Sequence, residues 1–198
     1  MKTVTYEKIK LLAADLAGRP RGKLPTTEST MLRAFFAAEL PDLWEREAWP
    51  ELCDHLEAVT LDSANCFDLR EGDADEIGDI LTIVVGGDPR LTTLVTRLPR
   101  EQYTRLEDRV NVKALQLQGA IYVDWQTPCP DLLASALDVE ATLNAYTLPL
   151  RFRLPLAMRG AALLLGEEDP MRAAALRAAA DIELAKQSQR LNKPWWRA

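Results

Sequence analysis

A chain of 198 residues, 47% hydrophobic and 27% charged with a mean hydropathy of −0.16, has the composition of a globular protein large enough to bury a real core. Its formal charge of −6 and pI near 5.0 exclude a protein that coats nucleic acid, because neutralising phosphates takes clustered Lys and Arg. No run reaches the ~18 apolar residues of a membrane span and Met1–Glu7 lacks a signal-like apolar core, so the expectation is synthesis in the cytosol with no membrane partner.

Thr5 is placed to cap a first helix in which Ile9, Leu12 and Leu16 share a face, and Gly18 ends it where a left-handed residue costs least. Arg19, Arg21 and Lys23 follow in a Pro/Gly-punctuated connector and read as solvated charges. Thr27 or Ser29 then caps a second helix bearing Met31, Leu32, Phe35, Phe36 and Leu40. Pro41 opens a separate turn over residues 42–48, which Trp49-Pro50 breaks. The gap from Gly18 to Thr26 is too long for a helix-turn-helix.

From about His55 the apolar period changes. Leu56 to Leu61 alternates, and Ile77 to Val85 is a β-branched run closed by the turn Gly86-Gly87-Asp88-Pro89, which lacks phosphate-loop spacing. A strand over 93–98 follows, and Pro99 opens one helical turn with Tyr103 and Leu106. Val112 to Leu117 and Ala120 to Trp125 read as two further strands joined at Gly119. Residues 131–146 have helical tendency. The order helices, strands, helices predicts an α+β fold, mainly helical, with a small central antiparallel β unit and a long C-terminal helical hairpin.

Little in the chain points to bond-making chemistry. His55 is the only histidine, so any scheme needing an imidazole runs through one residue, and it reads as structural. Cys53, Cys66 and Cys129 have no C-x-x-C spacing and read as reduced thiols. Glu71-Gly72-Asp73-Ala74-Asp75-Glu76 could offer oxygen ligands to a cation, but it lacks the ligand order of a calcium loop and reads as a solvated acidic loop. Trp44, Trp49 and Trp125 belong to the core.

The last third is the most telling. Leu154-Pro155 opens a helix that turns at Gly166-Glu167-Glu168-Asp169-Pro170 and resumes to about Leu191 with Ala173, Ala174, Ala175, Ala178, Ala179, Ala180 and Ala185 along it. Side chains this small let another backbone approach closely, so Ala174, Ala178, Ile182 and Ala185 are the candidate interface residues. Trp195 and Trp196 end a polar tail, where two indoles have a use if they dock on a partner or fold back on their own domain.

Several features recur in a fixed order. They are Thr5-Tyr6, Leu43-Trp44 with Trp49-Pro50-Glu51-Leu52, and Ile77-Gly78-Asp79-Ile80 before a strand. Gly119 to Trp125 with Pro128-Cys129-Pro130 comes next, then Leu154-Pro155, and the Gly166 turn into the Ala-rich helix with Gln187-Ser188-Gln189 near its end. This ordered set, spanning nearly the whole chain, resembles the head-tail connector (adaptor, or head-completion) proteins of tailed bacteriophages. The resemblance implies one connector-like domain over residues 1–191, made of a helical pair (1–53), a β unit (54–130) and C-terminal helices (131–191), with 192–198 as a flexible tail. It also implies a homo-oligomeric ring of about twelve copies, closed by head-to-tail contacts. Portal and tail proteins would be its partners at the head-tail junction of a virion assembled in the bacterial cytoplasm. Double-stranded DNA would pass through the channel without specific binding, and no catalytic residue, cofactor or metal carries over. Two other readings stay open: a tail-completion protein, and an intracellular enzyme with a carboxylate metal site at Asp73, Asp75 and Glu76.

Overall fold

The computed structural model describes all residues except 1, 21–23, 48, 50–51, 60, 69–79, 87–94, 107–108, 114–119, 167 and 191–198. Among the described residues the fold is α+β, with five α-helices and small antiparallel sheets. Its two compact units are a helical one, Met1–Glu47 with Pro130–Lys193, and a β-rich one within Ala48–Cys129. The helices from the two ends of the sequence therefore build one core, and the β segment is inserted between them.

In the helical unit, β1 (Thr3–Thr5) pairs antiparallel with β9 (Thr147–Pro149), so that the chain start and the lead-in to the C-terminal hairpin are joined. Thr5 stands at the cap position of α1 (Tyr6–Leu16) with extended backbone, but its side chain makes no cap bond. The Tyr6 amide donates instead to the Tyr146 carbonyl at 2.7 Å. The buried face of α1 is Tyr6, Ile9, Lys10, Ala13 and Ala14, with Leu12 and Leu16 only partly covered, because α4 (Arg153–Leu165) packs on the alanine side. Gly18 closes the helix at φ 75°.

α2 (Thr26–Glu45) differs from expectation at both ends. It starts one residue after Pro25, neither Thr27 nor Ser29 caps it, and it continues through Pro41. Proline removes one helical hydrogen bond. Leu40, Leu43 and Trp44 keep the helix in place because all three are buried, Trp44 against the Phe152 ring at 5.8 Å. Of the apolar residues expected on this helix, Leu32, Phe36 and Leu40 face inward while Met31 is 49% exposed. The segment expected to have helical tendency forms a short 3-10 turn at Ser135–Leu137 and α3 (Glu140–Ala145).

Among the described residues the β unit holds two antiparallel sheets, ordered β2-β8-β4-β5 and β3-β7-β6. Their strands are β2 (Cys53–Val59), β3 (Cys66–Asp68), β4 (Ile80–Gly86), β5 (Val95–Arg97), β6 (Tyr103–Leu106), β7 (Arg109–Val112) and β8 (Ala120–Gln126). Phe67, Val110 and Val112 from the smaller sheet share one buried cluster with Ile83, Val85, Ile121 and Val123 from the larger, so the sheets enclose a common core. Tyr103 and Leu106 are strand, not helical turn: only Arg100–Gln102 is 3-10, and pairing with β7 claims the rest. The strand expected over 112–117 is described only to Val112 and begins earlier, at Arg109. Before β3, Asp62 Oδ1 accepts the amides of Ala64 and Cys66, both at 2.8 Å, around Asn65 at φ 57°. Those amide bonds, that of Cys66 foremost, hold the Asp62 carboxyl below the usual carboxylate range.

Candidate assembly surface

The C-terminal hairpin is made by its glycine. Gly166 sits at φ 30°, where a side chain is strained, and its amide closes on the Ala162 carbonyl at 3.0 Å. Asp169 then starts α5 (Pro170–Arg190), accepting the Arg172 amide on its side chain at 3.0 Å. One face of α5, with Ala173, Ala180 and Leu184, is buried, and the helix packs on α4.

Polar ties hold that seam along its length. Arg172 Nη2 donates to the Leu16 carbonyl at the end of α1, 2.7 Å away. Arg19 reaches the Leu164 carbonyl and the carboxylates of Glu28 and Glu168. In the middle, Arg159 of α4 donates to Glu39 of α2 and to Asp181 of α5. Burial alone would lower the Arg159 pKa, but its hydrogen bonds to Asp181 and Glu39 outweigh that and raise it. Toward the C-terminal end, Gln187 Nε2 donates to the Arg151 carbonyl at 3.3 Å.

With that seam fixed, the opposite face of α5 is fixed too. Met171 (82% exposed), Ala174, Ala178, Ile182 (56% exposed) and Ala185 all lie at the surface. At 100° per residue they fall within an arc of about 80°. Ala174, Ala178, Ile182 and Ala185, marked from sequence, thus stand together on one solvent-facing stripe. Arg177, Asp181 and Lys186 border it, also exposed.

Two large apolar residues of the 131–139 segment are exposed as well. Arg33 of α2 donates to the Leu132 carbonyl at 2.8 Å and to Asp138 at 3.1 Å, pinning residues 131–139 in a compact loop. Leu132, Leu137 and Leu143 turn inward. Leu133 (53% exposed) and Val139 (63% exposed) turn outward, among the exposed carboxylates of Asp131, Asp138 and Glu140. Here Lys10, almost wholly buried, donates to Asn144 at 2.9 Å and approaches Glu140 at 3.4 Å. Helical tendency over residues 131–146 does not say which apolar side chains of this loop turn outward.

Trp44, Trp49 and Trp125 are buried as expected. His55 lies within β2, opposite Asp124 in register. Trp195, Trp196, the tail, and the acidic run with Asp73, Asp75 and Glu76 lie outside the described residues. Among the described residues no group of three or more His, Cys, Asp or Glu could hold a metal ion, and no helix is long and apolar enough to cross a membrane. No protein-family model matches the chain, and no curated protein does.

Proposed function

We propose that this protein is a structural, non-enzymatic head-tail connector of a tailed bacteriophage or prophage, forming a ring on the portal and lining the channel through which DNA leaves. The observation that carries this reading is the α5 stripe from Met171 to Ala185, an apolar face about four helical turns long that no described residue of the chain covers. Fully burying an Ile or Met side chain contributes roughly 1.5–3 kcal/mol. That is small beside the cost of joining two proteins, so a single contact is weak. A ring on a platform resolves this, because each copy is held on two sides and by the portal at once. About twelve such copies, related by rotation, close without a free end.

The formal charge of −6 per copy, repeated around a bore, repels DNA and lets it slide. The ordered set of residues from Thr5-Tyr6 to Gln187-Ser188-Gln189 supports the same class. In this reading residues 193–198, with Trp195 and Trp196, dock on the portal or a neighbouring copy. A portal or major capsid gene beside this one, and binding of the chain to that portal, test the reading. Removing residues 192–198 tests the tail separately: unchanged affinity for the portal defeats its role.

A further inference from the structure

We draw no further inference here: the strongest candidate, the exposed apolar face of α5 between Met171 and Ala185, already carries the connector reading, and nothing in the structure shows what covers it.

Discussion

Gly160 of α4 meets Phe36 of α2 with no room for a side chain: a Cβ there would lie 2.7 Å from Phe36 Cε1 and 3.0 Å from Leu32 Cδ2. Both neighbours are fully buried, so neither ring nor methyl is free to move aside. Alanine in place of glycine in a helix ordinarily gains up to about 1 kcal/mol. Here the sign should reverse. Gly160→Ala is expected to destabilise by about 1–3 kcal/mol through overpacking. The cost should shrink in a Phe36→Leu background, and a denaturant double-mutant cycle measures both.

Arg159 ties three helices through Glu39 and Asp181. Arg159→Met should cost about 1–2 kcal/mol, a modest figure because Asp181 is well exposed and screened. The loss should be largest at low salt. Equal destabilisation at all ionic strengths would mean that the arginine acts through packing of its stem.

Tyr6 is buried with no hydrogen-bond partner for its hydroxyl among the described residues, and burial pushes its pKa up to about 12. A folded-state pKa above the unfolded value of roughly 10 means that stability is intact below pH ~10 and falls as pH rises toward 12. Tyr6→Phe should remove that part of the alkaline loss. Near neutral pH it should be neutral or stabilising by up to about 1 kcal/mol, since no hydrogen bond is lost. Ultraviolet titration and thermal unfolding from pH 8 to 12 check both statements.

The two sides of α5 should respond oppositely to substitution. Ala178→Glu, on the exposed stripe, should change stability by less than about 0.5 kcal/mol. Ala180→Leu, at a fully buried position, should destabilise by about 1–3 kcal/mol. Thermal unfolding distinguishes them, and equal effects would mean that the helix is rotated from the orientation described.

The helical hairpin was legible because Gly166 and Pro170 punctuate it, and the order of elements gave the α+β class. What sequence left unresolved was which alanines turn inward. Ala173 and Ala178 are chemically identical, and only the seam set by Arg172, Asp181 and Gln187 distinguishes their surroundings. Tyr103 and Leu106 were misread because an i, i+3 pair after proline suits a helical turn, whereas their strand state depends on β7, which follows them. The joining of β1 to β9 across some 140 residues, and the outward turn of Leu133 and Val139, come from tertiary contacts that no local pattern carries.

In the proposed ring the exposed face of α5 is a contact between copies. Electron cryomicroscopy of the chain bound to the portal encoded beside it tests this directly. The expected result is a closed ring in which Met171, Ala178 and Ile182 of each copy are covered by its neighbour. Portals without bound copies, or a ring in which that face of α5 looks into solvent, would contradict it.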